Sequence, residues 1–296
     1  MLVTGAGGMV GGYAPAVYTE YELILTDVVE GFTSLDIRDP SAVRRAVTDA
    51  RPDVILHLAA ATDVDRCEQD PDCAYGTNAI GTQNIALACL EHGVPLVYIS
   101  TGAVFSGEKP EPYIEFDDTR PAKLYGRSKL AGEQIITSLL QRYYIVRAGW
   151  MIGGGETKDK KFVGKIARLI VEGKQTLQAV NDKWGSPTYA KDLLTGIGRL
   201  IETGYFGLYH MVNAGQCSRY EMALAIRDAL QCPDVAIQPV SSDRFPLPAP
   251  RGRSEALQNL KLELLGLPPM RPWQEAMRDY IQTELVPGLP LAREAG

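Results

Sequence analysis

The chain has few of the residues that crosslink small folds or bind structural metals. Its 296 residues include five cysteines and three histidines, and no two cysteines are separated by only two residues. The odd number of cysteines and their spacing argue against a disulfide framework and a zinc site. No apolar run is long enough to cross a membrane, and the first residues lack the pattern of a secretory signal. We therefore expect a soluble protein of the reducing cytoplasm, with no metal site and no membrane partner.

Basic charge is also scarce. The chain has 30 Lys and Arg residues against 36 Asp and Glu residues, which gives a formal net charge of −6. Because no basic run is present, we expect no nucleic-acid partner. The small cluster of Lys158, Lys160 and Lys161 is predicted to be a solvated loop. With 45% apolar residues, the chain can bury the core of one large domain, or of one domain and a smaller lobe.

A glycine-rich segment lies near the start of the chain, directly after the apolar residues Leu2 and Val3. Glycines recur at positions 5, 8 and 11, and a helix is predicted from Met9 to Tyr18. Glycine lets a backbone approach a pyrophosphate closely, and a helix N-terminus supplies N–H groups and a favourable dipole. A tight turn is the alternative, but the strand–loop–helix context favours a dinucleotide phosphate site. The residues predicted to form it are Gly5, Gly8, Met9, Val10 and Gly11.

An acidic residue, Asp27, follows the predicted second strand, which runs from Tyr21 to Thr26. A carboxylate at this place can accept hydrogen bonds from both hydroxyls of the adenosine ribose, and it would repel a 2′-phosphate. No arginine follows directly, so Asp27 favours NAD(H) as the cofactor. Arg38 is close enough in the sequence to leave NADP(H) open as the alternative.

A tyrosine and a lysine, Tyr125 and Lys129, are four residues apart in a predicted helix over 123–141, and so lie on one face of it. A phenol ordinarily titrates near ~10, and a neighbouring cation lowers that pKa. Tyr125 could then exchange protons at neutral pH. The spacing also occurs by chance. However, Thr101 ends the preceding predicted strand, 96–100, at the sheet edge where α/β proteins place their chemistry.

Together, the glycine loop, Thr101 and Tyr125-Gly-Arg-Ser-Lys129 resemble the extended short-chain dehydrogenase/reductase family. The resemblance covers nearly the whole chain. It implies an α/β fold of the Rossmann type, in which a doubly wound parallel sheet carries a smaller C-terminal substrate lobe. The dinucleotide-binding domain would comprise residues 1–150 and 188–212, and the lobe residues 151–187 and 213–296.

The resemblance also implies further cofactor contacts. The residues that match the family's segments beside the adenine and beneath the cofactor are Asp36, Ile37, Leu58, Ala59 and Ala60. Asn78 matches an asparagine of the cofactor site that braces the backbone of strand 96–100. His57, a lone histidine in an apolar run, is predicted to be a core residue and not a catalyst.

The implied chemistry is hydride transfer from a nicotinamide to a carbonyl carbon. Tyr125 would give its proton to the developing alkoxide, and Thr101 would donate a hydrogen bond to the same oxygen. Lys129 would lower the pKa of Tyr125 and hydrogen-bond the nicotinamide ribose. Each of these three roles is what the resemblance to the family implies.

The second half of the chain resembles one branch of the family, the dTDP-4-dehydrorhamnose reductase group, which reduces 4-keto-6-deoxy sugar nucleotides. The resemblance rests on Gly185-Ser-Pro-Thr188 and on Trp150, which follows Tyr125 by 25 residues. It implies that Trp150 borders the sugar of a nucleotide-sugar substrate. It also implies that Arg251 and Arg253 lie near the nucleotide end of that substrate.

Two alternatives to a reductase remain open at this stage. A sugar-nucleotide 4-epimerase would use the same three catalytic residues. The regulatory subunit of methionine adenosyltransferase resembles this branch too, and binds a nicotinamide cofactor without known turnover. Elimination of water is not expected, because Gly102 and Ala103 stand where the related dehydratases carry Asp and Glu. Relatives are often dimers, so a homodimer is a further expectation.

Overall fold

The computed structural model describes residues 1–288. The strands are β1 (Leu2–Thr4), β2 (Ile24–Asp27), β3 (Thr33–Ser34), β4 (Ile55–His57), β5 (Leu96–Thr101), β6 (Tyr143–Ala148), β7 (Trp150–Ile152), β8 (Thr176–Val180), β9 (Trp184–Gly185), β10 (Pro187–Tyr189), β11 (Gly207–His210), β12 (Cys217–Ser218), β13 (Ala236–Val240) and β14 (Ser254–Glu255). The α-helices are α1 (Ala14–Val17), α2 (Pro40–Ala50), α3 (Val64–Gln69), α4 (Pro71–Tyr75), α5 (Thr82–His92), α6 (Leu124–Leu139), α7 (Gly155–Lys158), α8 (Phe162–Val171), α9 (Ala190–Thr203), α10 (Arg219–Ala229), α11 (Leu260–Leu264) and α12 (Trp273–Tyr280). The final part of the predicted lobe, residues 289–296, lies outside the described residues.

Seven of these strands form one parallel sheet in the order β11-β6-β5-β4-β1-β2-β3. β1 lies inside this sheet, with Leu2 opposite Ile24 of β2 on one side and Ile55 of β4 on the other. The strand order therefore reverses at β1. The carboxyl ends of β1 and β4 open a crevice at that point, which is where open α/β sheets bind their ligands. The predicted doubly wound sheet of the Rossmann type is confirmed.

Local sequence signals explain where two of the helices begin. The carboxylate of Asp39 accepts two backbone N–H bonds at the start of α2, and Pro40 occupies its first turn. α10 begins with a capping box, in which the side chains of Ser218 and Glu221 each accept a hydrogen bond from the other residue's backbone N–H. By contrast, the helix predicted from Met9 is realised only as a 3₁₀ turn at Gly11–Tyr13 followed by the four-residue α1.

Helices cover both faces of the sheet. Leu2 and Ile55 pack with α2, α5 and α6 on one face, whereas Val3 and Leu56 pack with α9 on the other. This alternation places neighbouring strand residues in opposite cores. Within residues 1–288, no helix combines the length and the apolar character that a membrane span needs.

A separate core lies in the C-terminal lobe, between α8, α10 and α12. The small sheets β8–β13 and β12–β9–β14 belong to this region of the chain. α11 departs from the domain division that the sequence suggested, because its Leu262 packs in the core of the large sheet. With that exception, the division of the chain into two domains stays a prediction.

Glu284, near the end of the described residues, hydrogen-bonds to two tyrosines from distant parts of the sequence. Its carboxylate accepts hydrogen bonds from the hydroxyl of Tyr13, beside the glycine loop, and from that of Tyr189, at the end of β10. Burial, followed by the Glu284 carboxylate, raises the pKa of both phenols. Both hydroxyls therefore remain proton donors to Glu284.

Candidate active site

A cleft of about 1980 Å³ lies between the carboxyl ends of the central strands and the C-terminal lobe. Sixteen of the predicted site residues line it, namely Gly5, Gly8, Met9, Val10, Gly11, Asp27, Asp36, Ile37, Leu58, Ala59, Ala60, Thr101, Tyr125, Lys129, Trp150 and Arg251. Asn78 and Arg253 are absent from this wall, because Asn78 is fully buried behind it and Arg253 is exposed outside it. The fold thus brings most of the candidate residues to one place.

Asp27, at the end of β2, holds the glycine loop through a hydrogen bond to its carboxylate. Its carboxylate accepts hydrogen bonds from the backbone N–H of Gly7 at 2.8 Å and of Val28 at 2.6 Å. The following N–H groups of the loop, those of Met9 and Val10, meet no acceptor in the part of the chain that the structure describes. Neighbouring unpaired N–H groups in a glycine-rich turn suit an anionic diphosphate. The loop therefore fits the pyrophosphate of a dinucleotide.

Arg38, the residue that keeps NADP(H) possible as the cofactor, forms an ion pair with Asp36. Arg38 Nη2 lies 2.6 Å from Asp36 Oδ2, and the guanidinium also contacts the other carboxylate oxygen. This hydrogen-bonded pair holds the pKa of Asp36 below its ordinary value. The Arg38 charge is thus already paired, although both residues line the cleft.

Asn78 lies in a π-helical turn, Gly76–Gly81, that joins α4 to α5. Its amide donates to Ala61 O at 3.0 Å and accepts from Ala61 N at 2.9 Å, and it also donates to Ser128 Oγ at 3.0 Å. This placement differs from the expectation that Asn78 braces β5 and belongs to the cofactor surface. The side chain instead holds the segment after β4 against α6. A π turn shifts side chains out of the regular helical spacing, so the pattern predicts their direction poorly.

Thr101 and Tyr125 meet because α6 packs closely on the turn that follows β5. A Cβ atom at Gly126 would lie 2.1 Å from Ala103 O, so only glycine permits this approach. The Thr101 hydroxyl accepts a hydrogen bond from Ala103 N at 3.1 Å, which leaves its own proton free to be donated. Both side chains line the cleft, and the Thr101 hydroxyl lies close enough to Tyr125 to lower the pKa of the phenol.

The protonation of Tyr125 and Lys129 differs from the expectation that the lysine lowers the tyrosine's pKa. Burial raises the pKa of Tyr125 to about 12, and the hydrogen bond from Thr101 offsets this only in part. Burial also lowers the pKa of Lys129 to about 7, although the Glu133 carboxylate acts in the opposite direction. The physical reason is that desolvation disfavours the charged form of each group. Tyr125 is therefore protonated at neutral pH, whereas Lys129 titrates close to neutral pH.

His57 is a satisfied core residue, in line with its position in an apolar run. Its Nδ1 lies 2.7 Å from Thr4 Oγ1, and its Nε2 lies 3.2 Å from Thr82 Oγ1. Burial, and then the Lys129 charge, lowers its pKa to about 3. The imidazole is neutral at physiological pH and hydrogen-bonded on both nitrogens.

Trp150 is held by residues that no sequence motif indicated. Its indole Nε1 donates to Glu255 Oε2 at 3.3 Å, and Glu255 also pairs with Lys123. On another side, the guanidinium carbon of Arg219 lies 3.7 Å from the Trp150 ring centre. Lys123, Arg219 and Glu255 come from α6's start, α10 and β14, so only the folded chain brings them together.

The glycine of the Gly-x-Pro-Thr segment has a direct structural role beside Trp150. A Cβ atom at Gly185 would lie 2.3 Å from the Trp150 ring. Any side chain at this place would displace the indole from its position in the cleft. Gly185 and Trp150, which are two separate signals in the sequence, therefore pack directly against each other in the structure.

The two arginines expected near the nucleotide end of the substrate, Arg251 and Arg253, lie in different surroundings. Arg251 lines the cleft, but its Nη2 contacts Asp65 Oδ1 and Oδ2 at 3.0 and 2.9 Å, so its charge is paired. Arg253 is exposed and does not line the cleft, and its backbone carbonyl accepts a hydrogen bond from Trp184 N at 2.9 Å. The expected substrate contact of Arg253 is thus not supported by its position.

Comparison with known proteins gives consistent matches over almost the whole chain. Residues 1–286 match the model of the RmlD substrate binding domain family. A dTDP-4-dehydrorhamnose reductase of Mycolicibacterium smegmatis is 38% identical over 285 residues, which covers 95% of this chain and 84% of that protein. A crystal structure of dTDP-4-dehydrorhamnose reductase from Bacillus anthracis in complex with NADP is 37% identical, with a TM-score of 0.89, and the match covers 95% of this chain and 98% of that one. A UDP-glucose 4-epimerase of Thermus thermophilus in complex with NAD is more distant, at 25% identity and a TM-score of 0.81, over 95% of this chain and 97% of that one.

Proposed function

Because this chain belongs to the RmlD substrate binding domain family, we propose that it is an NAD(P)H-dependent reductase of a 4-keto-6-deoxy sugar nucleotide of the dTDP-4-dehydrorhamnose type. The observation that carries the proposal is the meeting of Thr101, Tyr125 and Lys129 in one cleft with the glycine loop. A nicotinamide cofactor would bind at the glycine-loop end of this cleft, and a sugar nucleotide would bind at the Trp150 end.

The reduced nicotinamide, when bound, supplies a hydride to the carbonyl carbon of the sugar. The glycine loop offers the unpaired N–H groups of Met9 and Val10 to the cofactor's pyrophosphate. Tyr125 then donates its proton to the carbonyl oxygen, and the Thr101 hydroxyl donates a hydrogen bond to the same oxygen as negative charge develops on it. Lys129, in its charged form, holds the nicotinamide ribose.

The acid form of Tyr125 suits the first step of a reduction, in which the phenol gives its proton to the carbonyl oxygen. Burial raises the pKa of Tyr125 to about 12, which keeps the phenol in its acid form at neutral pH. The choice of a reductase over an epimerase is supported by the similarity to reductases, at 37–38% identity, against 25% for the epimerase.

We propose that NADH is the preferred cofactor and that NADPH is accepted less well. Asp27 lines the cleft at the end of β2, where its negative charge would repel a 2′-phosphate. The nearest arginine in sequence, Arg38, is already paired with Asp36. We expect kcat/KM to be higher with NADH, and we expect Asp27→Asn to narrow the ratio between the cofactors. A wild-type enzyme that prefers NADPH would contradict this assignment.

The activity itself is tested by the absorbance of the reduced nicotinamide, with a dTDP-4-keto-6-deoxy sugar as substrate. The wild-type protein should consume the cofactor only when the sugar nucleotide is present. Tyr125→Phe should lower kcat by about 10²–10⁴, with cofactor binding retained. Tyr205→Phe, which alters an exposed tyrosine, is the matched control and should keep wild-type turnover. Wild-type turnover in Tyr125→Phe would overturn the proposal.

We also propose a cytoplasmic homodimer on the basis of the family resemblance. Light scattering would then give about twice the 32.3 kDa mass of the chain. A mass of one chain over the whole concentration range would refute the dimer, without bearing on the chemistry of the cleft.

A further inference from the structure

Arg219, the first residue of α10, is a cation of the cleft without a carboxylate partner. It lines the cleft, and no carboxylate of the described residues lies within ion-pair distance of it. Its side chain donates a hydrogen bond to the sulfur of Met222, which is a weak acceptor. Arg38 and Arg251 line the same cleft, but each of them forms an ion pair with an aspartate, although the charge of Arg251 still acts on Arg219. Arg219 is therefore an arginine whose charge is available to a ligand.

The guanidinium of Arg219 lies over the rings of two aromatic side chains. Its central carbon lies 3.7 Å from the centre of the Trp150 ring and 5.0 Å from that of Phe162. Stacking uses the faces of the guanidinium and leaves its N–H donors at the edges, in the geometry that matches phosphate oxygens. Burial lowers the pKa of Arg219 to about 10, so it remains charged at neutral pH.

A second cation, Lys161, lines the same cleft as Arg219. Lys161 was predicted to belong to a solvated loop, but it precedes α8 and forms part of the cleft wall. Desolvation lowers the pKa of its ammonium; the Asp159 carboxylate acts in the opposite direction, and the Arg219 charge lowers the pKa again. Two cations in one cleft are both stabilised when a multiply charged anion binds between them.

The position of this pair relative to Tyr125 indicates which anion it receives. In a 4-keto sugar nucleotide, the diphosphate is bonded to C1, across the sugar ring from the carbonyl at C4. Tyr125 marks the carbonyl end, and Trp150, which the family resemblance places beside the sugar, is in contact with Arg219 in the same cleft. Glu255 connects the two ends, because it hydrogen-bonds Trp150 and its charge acts on both Tyr125 and Arg219.

We infer that Arg219, together with Lys161, forms the subsite for the diphosphate of the nucleotide-sugar substrate. This inference rests on the proposed function, since it takes the substrate to be a nucleoside-diphosphate sugar. It replaces the sequence-based assignment of the nucleotide end to Arg251 and Arg253. The stacked Trp150–Arg219 pair then contacts the substrate on both sides of its C1–oxygen bond, with the indole beside the sugar and the guanidinium at the phosphates.

The test is calorimetric titration of the full chain, saturated with NADH, with dTDP and with thymidine. Arg219→Gln should weaken dTDP binding about 10–100-fold, the usual loss for hydrogen bonds to a charged group, and leave thymidine binding unchanged. Arg219→Lys should give an intermediate affinity, because an ammonium keeps the charge and loses the forked donors. Lys161→Gln should weaken dTDP binding by a smaller factor. Arg253→Gln removes the same charge from outside the cleft and should stay within about twofold of the wild type.

Several results would overturn the subsite. One is a dTDP affinity within twofold of wild type in Arg219→Gln, and another is an equal loss of affinity for dTDP and thymidine in that variant. A loss of dTDP affinity in Arg253→Gln as large as in Arg219→Gln would also overturn it, as would a wild-type protein that does not bind dTDP. If Arg219→Gln does not fold, Arg219→Lys carries the same comparison. The titration needs no turnover. A wild-type protein that binds dTDP through Arg219 but oxidises no cofactor would therefore refute the proposed reductase and leave the subsite standing.

Discussion

Glu133 and Arg147 form a buried ion pair beneath the catalytic residues, and its removal should be costly. Their side chains are 4% and 5% exposed, and Arg147 Nη2 and Nε lie 2.7 and 3.0 Å from the two carboxylate oxygens. Ser100 of β5 also donates to Glu133. In Glu133→Gln, the amide nitrogen meets one of these donors and the Arg147 charge is left uncompensated. Breaking a buried pair in this way costs about 3–5 kcal/mol.

This destabilisation is measured by urea unfolding and by thermal melting. A loss of that size corresponds to a fall in Tm on the order of 10 °C for a chain of this length. Glu91→Gln, which breaks an exposed pair with Arg44, is the matched control and should leave Tm within error of the wild type. The double change Glu133→Leu with Arg147→Met should recover much of the loss, because no unpaired charge remains.

The same variant also changes the pH dependence of turnover. The Glu133 charge raises the pKa of Lys129, which burial places at about 7. Removing that charge lowers the pKa further. Because the charged lysine is the form that holds the ribose, activity should fall as pH rises through this pKa, and in Glu133→Gln the fall should begin at lower pH. A variant with wild-type Tm and an unshifted profile of kcat/KM against pH would refute the reasoning.

Three further substitutions test the packing around the site. Gly126→Ala places a Cβ 2.1 Å from Ala103 O and should lower kcat at least tenfold by moving α6 away from β5; a wild-type kcat would contradict the close-packing argument. Gly185→Ala places a Cβ 2.3 Å from the Trp150 ring and should raise KM for the sugar nucleotide but not for the cofactor, as steady-state kinetics would reveal. Glu284→Ala leaves two tyrosine hydroxyls without their acceptor and should cost about 2–4 kcal/mol in urea unfolding, whereas a neutral effect would show that solvent replaces the carboxylate.

The sequence predicts the frame of this fold well because its signals are local. Asp39 and Pro40 start α2, and the capping box of Ser218 and Glu221 starts α10. The Tyr125–Lys129 spacing also identifies its helix directly, whereas the glycine loop identifies the turn after β1 but not the shortness of the helix that follows. Each of these signals is complete within a few residues, so no long-range contact is needed to interpret it.

The rest of the site depends on contacts between distant parts of the chain. Lys123 and Glu255 are separated by 132 residues and pair only in the folded cleft. The pairing of Arg251 with Asp65, which removes Arg251 as a free cation, spans 186 residues. The protonation of Tyr125 could not be predicted from its spacing to Lys129, because burial of both groups outweighs their proximity.

The most direct test of the central claim is the fate of the hydride. The protein is incubated with NADH deuterated at the transferring C4 position and with a dTDP-4-keto-6-deoxy sugar, and the product is analysed by mass spectrometry and NMR. We predict one deuterium at C4 of the product sugar, in amounts equal to the NADH oxidised, with strong reduction of the rate in Tyr125→Phe. A sugar product that carries no deuterium from the cofactor, or isomerisation without net oxidation of NADH, would contradict it.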